Sequence, residues 1–281
     1  MTKICLIWDF DSAIGQINSQ YPYNYNYRNL ITEIENVRKI LTISESLNGK
    51  MVFAISGIAA EEGIFPYSIK ELIVEIYQRG HEIASHSWKH EWFPFLDKSQ
   101  ILKSLTRSKK ALESCIGIEN TILGFIPPFN RPMSWYKKLA FSLGDKKIGY
   151  KYPGSNLGSL LPLVNECGYK WMRITYNPIL EKLFKINSRS SLSRKWQFSD
   201  NVFCVHHNYC GFDRTALELI DQSIALKSNI LITGHPIGLS LNGKENIRYF
   251  IDMIEKIKYF EDNNQLQLLT MQEILGKTIN E

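Results

Sequence analysis

The feature that most constrains the fold is an alternation of short apolar runs with longer stretches of helical periodicity. Unbroken apolar runs indicate buried strands, and apolar residues that recur every three or four positions indicate helices. We predict strands at 3–9, 51–56, 81–86, 121–126, 169–174, 201–207, 229–235 and 266–269. We predict helices at 28–47, 67–79, 98–116, 133–143, 157–167, 214–227 and 244–260.

Several of the predicted strands are apolar throughout, which is typical of parallel strands covered on both faces. Seven or eight strand–helix units, with no linker between them, favour a distorted (β/α)7–8 barrel, although the alternation by itself also fits an open doubly wound sheet. Because such barrels use about 250 residues, we predict a single α/β domain over residues 1–281.

Composition and charge exclude several classes of function. The net charge of +5 is scattered along the chain, which argues against a nucleic-acid-binding patch. No apolar run is long enough to span a membrane, and the start of the chain does not resemble a signal peptide. Five cysteines without CxxC spacing are expected to be reduced. We therefore expect a cytoplasmic protein with no transmembrane segment and no nucleic-acid partner.

Carboxylates and histidines gather at the predicted strand ends, where barrel enzymes carry their chemistry. Five of the six histidines lie at such ends. The first strand ends in "WDFDS", the third in "SHSWKH", the sixth in a histidine pair and the seventh in "TGHP", which gives Asp9, Asp11, His86, His90, His206, His207 and His235.

One carboxylate and two neutral imidazoles suit Zn²⁺ or a similar divalent ion and leave coordination positions open. Histidines four positions apart, as in "HSWKH", can face one ion if the segment forms a helical turn. The spare aspartate could then take a proton from water activated by that ion. Two histidines and a carboxylate also form the site of non-haem iron oxygenases, but the order of residues and the α/β pattern argue against that class.

The order D-x-D, H-S-x-x-H, P-P-F-N and G-H-P resembles the polysaccharide deacetylases with NodB homology, carbohydrate esterase family 4, over nearly the whole chain. The resemblance implies a NodB-type distorted barrel and metal-dependent removal of an N-acyl group, most often acetyl, from a sugar. It implies one divalent ion, zinc first and cobalt or nickel as alternatives. The residue roles it implies are Asp11, His86 and His90 as metal ligands, Asp9 as the catalytic base, His235 as the catalytic acid, and Pro128, Phe129, Asn130 and Arg131 as substrate-binding.

Three departures from the family pattern stand out. The first motif reads "DFDS" where adjacent aspartates and a glycine are usual, which leaves open which aspartate is the ligand. Ile126 occupies the position of an arginine that orients the catalytic aspartate, and Arg131 is a candidate replacement, although it could equally be a solvated loop residue. The acid that supports the late histidine is not evident, and Asp200 and Asp213 are the candidates.

The predicted function is that of a deacetylase acting on a carbohydrate. Two alternatives remain: a hydrolase of another amide, such as an N-formyl group or a cyclic imide, and a catalytically impaired carbohydrate-binding relative. The tyrosine-rich loop 19–29 is either a surface excursion or a rim for stacking on sugars. An enzyme kept in the cytoplasm would act in glycan biosynthesis on a nucleotide-linked or lipid-linked precursor. Nothing in the sequence indicates the oligomeric state.

Overall fold

The computed structural model of the protein describes residues 1–19, 26–93, 96–130, 157–174, 192, 196–243 and 245–280. Most of the tyrosine-rich loop, Arg131 and the predicted helix at 133–143 lie outside these residues. None of the helices described is long and apolar enough to cross a membrane. The prediction of a single domain over residues 1–281 stays a prediction.

Ten strands and eight α-helices alternate along the described residues. The strands are β1 (Thr2–Phe10), β2 (Val52–Ile55), β3 (Glu82–Ser85), β4 (Gly124–Phe125), β5 (Trp171–Ile174), β6 (Gln197–Ser199), β7 (Val202–His206), β8 (Tyr209–Cys210), β9 (Ile230–Gly234) and β10 (Leu266–Leu268). The helices are α1 (Ser12–Ser19), α2 (Tyr27–Ile43), α3 (Lys70–Gln78), α4 (Lys98–Ile116), α5 (Leu157–Glu166), α6 (Arg214–Ala225), α7 (Ile247–Asp262) and α8 (Met271–Asn280).

Helix α4 shows how local sequence sets these boundaries. Asp97 and Gln100 form a reciprocal capping box at its start, which satisfies backbone N–H groups that have no partner inside the helix. Gly117 ends it with φ of 74°, a conformation that glycine adopts without steric cost. The observed bounds equal the predicted range 98–116.

The strands form one curled sheet in the order β6-β7-β5-β4-β3-β2-β1-β9-β8, with β10 added beside β1. The pairings between successive strands are parallel except β6–β7. β1 is the hub, because β10 pairs with its first half, β2 with its second half, and β9 with Ile4–Trp8.

The two ends of this sheet are joined by one stretch of extended chain. β7 pairs with β5 and β8 pairs with β9, and only His207 and Asn208 separate β7 from β8. Asn208 extends the ladder, since its N–H donates to Leu231 O at 2.8 Å and its Oδ1 accepts from Leu231 N at 2.7 Å. The predicted distorted (β/α) barrel is therefore confirmed.

Side chains alternate between the two faces of each strand, and the two faces form separate apolar clusters. In β1, Ile4, Leu6 and Trp8 pack outward in the larger cluster with the helices. The other face of β1 points into the barrel with the inward residues of the other strands, and the strand-to-helix segment at β10–α8 packs against them. The members of this interior cluster are Cys5, Ile7, Val52, Ala54, Ala84, Ile126, Trp171, Phe203, Val205, Leu231, Leu269, Met271, Ile274 and Leu275.

Candidate metal-dependent active site

A polar layer lies above the apolar interior, at the carboxyl ends of the strands. Residues two positions apart on a strand face the same side. Asp9, His86 and Arg173 follow the inward-facing Ile7, Ala84 and Trp171 by two positions, so they also face the inside of the barrel. All three polar side chains are buried. The barrel thus directs charged groups into its own mouth at the positions where the sequence predicts chemistry.

Asp11, His86 and His90 come together at this mouth. One ligand atom from each lies within 4.8 Å of the others, and all three residues are buried. Asp11 Oδ1 lies 3.4 Å from His86 Nε2 and 3.2 Å from His90 Nε2. The structure therefore brings together the three residues predicted as metal ligands.

The hydrogen bonds behind the two imidazoles favour metal binding. His86 Nδ1 lies 2.7 Å from Ile126 O, an acceptor, so this nitrogen carries the proton and Nε2 presents a lone pair. His90 Nδ1 lies 3.4 Å from Ser19 Oγ, whose proton goes to Gly15 O. Asp11 Oδ1 is buried without a hydrogen-bond donor among the described residues. Three electron-pair donors that face each other without a proton fit a divalent cation.

The charge states match that arrangement. Burial lowers the pKa of His86 and outweighs the opposing effect of Asp11, which favours the neutral imidazole that a metal requires.

The "HSWKH" segment forms a non-helical turn, which brings the two imidazoles together without the helical geometry considered for this spacing. Ser87 and His90 adopt left-handed backbone conformations with φ of 65° and 58°. Such conformations cost non-glycine residues about 1–3 kcal/mol each and persist where surrounding contacts fix them. Ser87 O accepts from Gly57 N at 2.9 Å and from Ser108 Oγ at 3.0 Å, which ties the turn to β2's exit and to α4.

Asp9 is held by an arginine from a different strand than the family pattern suggests. Arg173 of β5 donates two hydrogen bonds to Asp9, Nη1 to Oδ1 at 2.7 Å and Nη2 to Oδ2 at 2.6 Å. Burial acts to raise the pKa of Asp9, but the Arg173 guanidinium overcomes it and keeps that pKa below its usual value. Ile126 packs in the apolar interior, and Arg131 lies outside the described residues. Arg173 thus contacts Asp9 in the way that the resemblance implies for the arginine missing at position 126.

His235 follows β9 and faces Asp9 across the mouth. Its Nε2 lies 3.9 Å from Asp9 Oδ2, and its Nδ1 lies 3.8 Å from Glu245 Oε1. Burial acts to lower the pKa of His235, but its contacts with Cys210 and Glu245, with the charges of the two aspartates, raise it well above its usual value. Glu245 therefore lies beside the His235 Nδ1 atom, where Asp200 or Asp213 was predicted.

The two aspartates proposed for that task lie elsewhere. Asp213 caps α6, where its carboxylate accepts from Ala216 N at 3.2 Å and from the Tyr209 hydroxyl at 2.7 Å. Asp200 lies in the turn between β6 and β7 with φ of 48°. Asn36 of α2 holds the His235 loop instead, because its side-chain amide donates to Pro236 O and Leu239 O at 2.9 and 3.1 Å.

The segment predicted to bind substrate is partly described. Pro128, Phe129 and Asn130 form a 3-10 turn after β4. The Phe129 ring meets His90 edge-on, with ring centroids 4.7 Å apart, and its φ is 62°. Phe129 therefore lies directly beside the predicted ligand set.

Helices α1 and α2 add contacts that the sequence did not suggest. Gly15 lies so close to Asp11 and His90 that a Cβ there would meet Asp11 Cβ at 2.8 Å and the His90 ring at 3.4 Å. Glu33 is fully buried and accepts from Gln16 Nε2 at 2.7 Å. Burial, reinforced by the charge of Asp11, raises the pKa of Glu33 to about 8. The sequence signal for Glu33 was a charged residue on the otherwise apolar face of α2.

The fold and the site define a class: barrel proteins with an Asp-His-His metal site at the carboxyl ends of the strands. Residues 30–152 match the family model described as polysaccharide deacetylase. The matched region contains the H-S-x-x-H and P-P-F-N motifs through which the sequence resembles that family.

Several solved structures share the fold of this chain. A putative polysaccharide deacetylase from Mycobacterium smegmatis is 15% identical with a TM-score of 0.67, over 97% of this chain and 88% of that one. Puue allantoinase is 12% identical with a TM-score of 0.61, over 97% and 88%. A mutant of BA3943 from Bacillus anthracis, a carbohydrate esterase family 4 pseudoenzyme with restored activity, is 12% identical with a TM-score of 0.52, over 98% and 67%.

At these identities the likeness shows a shared fold. No curated protein matches the chain.

Proposed function

We propose that this protein is a metal-dependent hydrolase that removes an N-acyl group, acetyl in the first instance, from a sugar or glycan precursor. One observation carries the proposal: the ligand atoms of Asp11, His86 and His90 converge beside a second carboxylate, Asp9, and a histidine, His235. A binding protein for carbohydrate would have no use for a buried aspartate fixed by an arginine fork.

Asp11, His86 and His90 would hold the ion, and we take zinc as the ion because two imidazoles and one carboxylate suit it. When bound, the ion would supply a Lewis acid that polarises the amide carbonyl and lowers the pKa of water. Asp9 lies two residues before Asp11 and stays charged beside Arg173, so it can accept a proton from the attacking water.

His235 is suited to the opposite task. Its raised pKa keeps it protonated near neutral pH, and it can deliver a proton to the departing nitrogen. The overall step breaks the amide C–N bond, adds the water oxygen to the carbonyl carbon, and releases a carboxylate and an amine. Phe129 and the residues beside it would line the substrate subsite next to His90.

The test combines metal analysis with activity. We expect one divalent ion per chain in the purified protein, lost in a His86→Ala, His90→Ala double variant. Asp9→Asn should keep the ion and lose activity by about 10² to 10⁴. If Asp9→Asn loses the ion while Asp11→Asn keeps it, the roles of the two aspartates are reversed.

The substrate panel separates this proposal from its alternatives. It contains N-acetylated nucleotide sugars, lipid-linked sugars and free chito-oligosaccharides, together with N-formyl sugars and a cyclic ureide or imide. Acetate release supports the deacetylase. Turnover of the N-formyl or cyclic compounds alone would assign the other amide hydrolase, and binding without turnover would assign the impaired relative. Cytoplasmic location and a precursor substrate stay predictions.

A further inference from the structure

The turn that carries His86 and His90 is held by a glutamate that follows it in sequence. Glu91 Oε2 accepts three hydrogen bonds: from Ser87 Oγ at 2.7 Å, from Lys89 N at 2.8 Å and from Ser104 Oγ at 3.2 Å. The Ser87 hydroxyl in return accepts from Glu91 N at 3.1 Å. This reciprocal pair closes a ring of five residues, and His90 lies inside it.

Helix α4 supplies the second half of the support. Ser104 lies between Glu91 and the turn, since its hydroxyl also accepts from Trp88 N at 3.0 Å. Four residues later, and so on the same face of the helix, Ser108 donates to Ser87 O. Arg107 stacks over the Trp88 ring at 3.9 Å on that side of α4.

The turn requires such support because two of its residues are in left-handed conformations. Without the carboxylate, the Lys89 N–H and the Ser87 hydroxyl lose their common acceptor, and the loop gains freedom to relax. His86 is fixed independently, at the end of β3 and by its bond to Ile126 O. His90 depends on the turn, so relaxation would move its Nε2 away from the other two ligand atoms.

We propose that Glu91 is a positioning residue of the metal site: it places His90 within reach of the ion that Asp11 and His86 hold. The proposal rests on the function proposed above. The hydrogen bonds of Glu91 reach Ser87, Lys89 and Ser104, so it acts on His90 through the turn. Partners of this kind commonly contribute 10–100-fold to metal affinity.

The experiment measures metal affinity of the purified full chain after removal of its ion. Zn²⁺ and Co²⁺ are titrated in competition with a chromophoric chelator, and the visible absorption of the Co²⁺ form reports ligand geometry. We expect Glu91→Ala to weaken both ions about 10–100-fold and to change the Co²⁺ spectrum. Glu91→Gln keeps one acceptor oxygen and should recover most of the affinity, whereas Glu91→Met keeps similar packing without an acceptor and should not.

Two further variants complete the design. Glu119→Ala removes an exposed glutamate beyond the end of α4 and should leave affinity and spectrum unchanged. Ser104→Ala removes one of the three donors, serves if Glu91→Ala does not fold, and should weaken binding several-fold with a smaller spectral change. If Glu91→Ala keeps the wild-type affinity and spectrum, the role of Glu91 is overturned and the proposed function stands. The same holds for Ser104→Ala if Glu91→Ala does not fold. A wild-type chain that binds neither ion would overturn the proposed function as well.

Discussion

Asp9 combines two properties that rarely coexist, full burial and a lowered pKa, and Arg173 is the reason. A carboxylate without that fork would take up a proton inside the barrel, because burial disfavours the charged form. The arginine arrives from β5, so the pair spans the mouth and fixes the direction of the Asp9 oxygens. Its orientation is therefore as rigid as the sheet itself.

Two variants of Arg173 distinguish the effect of its positive charge on Asp9 from the effect of its paired hydrogen bonds. Arg173→Lys keeps the positive charge and loses the fork, so we expect kcat to fall by about 10²-fold with the metal retained. Arg173→Met also removes the charge, which raises the pKa of Asp9. Because the base must be unprotonated, the acid limb of the pH–rate profile should move to higher pH in the methionine variant.

An unchanged acid limb in Arg173→Met would contradict the role of Asp9 as base. Removing one partner of a buried ion pair costs about 3–5 kcal/mol, so the lysine variant is the safer of the two for kinetics.

Glu245 should set the other limb of that profile. Glu245→Gln removes the carboxylate whose contact with His235 raises the pKa of that histidine. The acid must be protonated, so activity is lost as pH rises through its pKa, and the alkaline limb should move to lower pH. Asp213→Asn removes the carboxylate that caps α6 and should leave this limb in place. The measurement is kcat/KM against pH for the three proteins, and an unmoved limb in Glu245→Gln would contradict the assignment.

At the scale of elements, α1 joins the site to the first strand. The helix begins one residue after Asp11, and Gly15 N donates to Asp11 O at 3.2 Å in its first turn. The close approach of Gly15 to Asp11 and His90 leaves no room for a side chain. A single methyl group should therefore disturb two ligands at once.

We expect Gly15→Ala to lower metal affinity at least tenfold, because α1 must move away from Asp11 and His90 to accept the new Cβ. Gly276→Ala in α8 is the matched control, since a Cβ there meets no atom within 4 Å. Alanine favours a helix over glycine by about 1 kcal/mol, so the control should be neutral or slightly stabilised. Metal titration and thermal unfolding are measured for both variants. Equal metal affinities in the two would contradict the prediction for Gly15.

Three elements that the sequence did not predict, β6, β8 and α1, depend on their surroundings. β8 has two residues and β6 has three, too few to show a period, and they exist because neighbouring strands offer an edge. α1 contains a glycine and polar residues, so its helical form comes from packing against the site and not from propensity. The longest helices, α2, α4 and α7, were visible in their periodicity, whereas α8 was not predicted.

For the whole molecule, a buried carboxyl near the amino ends of the strands should control stability. Glu82 lies opposite the metal site, where it accepts from Trp171 Nε1 at 2.8 Å and from Gln272 N at 2.9 Å. Burial outweighs these bonds and raises its pKa from 4.5 to about 7. The folded protein thus binds a proton more tightly than the unfolded chain does.

The sign of the effect follows from that difference. A group with a raised folded pKa contributes stability below pH 4.5, and this contribution is lost as pH rises through about 7. We expect the free energy of unfolding to fall by up to about 3 kcal/mol across this range. Glu82→Gln should flatten the dependence, measured by urea unfolding at several pH values. An equally steep slope in Glu82→Gln would show that other groups, such as Glu33, control it.

Some of the site residues could be predicted from the sequence and others could not. Asp9, Asp11, His86, His90 and His235 sit at strand ends, so position along the chain was enough to predict their convergence. Arg173 and Glu245 were missed, because each finds its partner only after the sheet has curled. Arg173 did leave a trace, as a charge two residues after an inward tryptophan in an otherwise apolar strand.

The position of β1 at the hub of the sheet has a consequence for synthesis. β1 pairs with β9 and β10, whose residues follow it by more than two hundred positions. On the ribosome, the first strand must wait until β9 and β10 have emerged before both of its late neighbours can join it. Contacts between such distant residues fold slowly and leave apolar edges exposed meanwhile. A nascent chain stopped before β9 therefore holds Asp9 and Asp11 on a sheet that lacks the strand leading to His235, and the site is complete only after β9 has been synthesised.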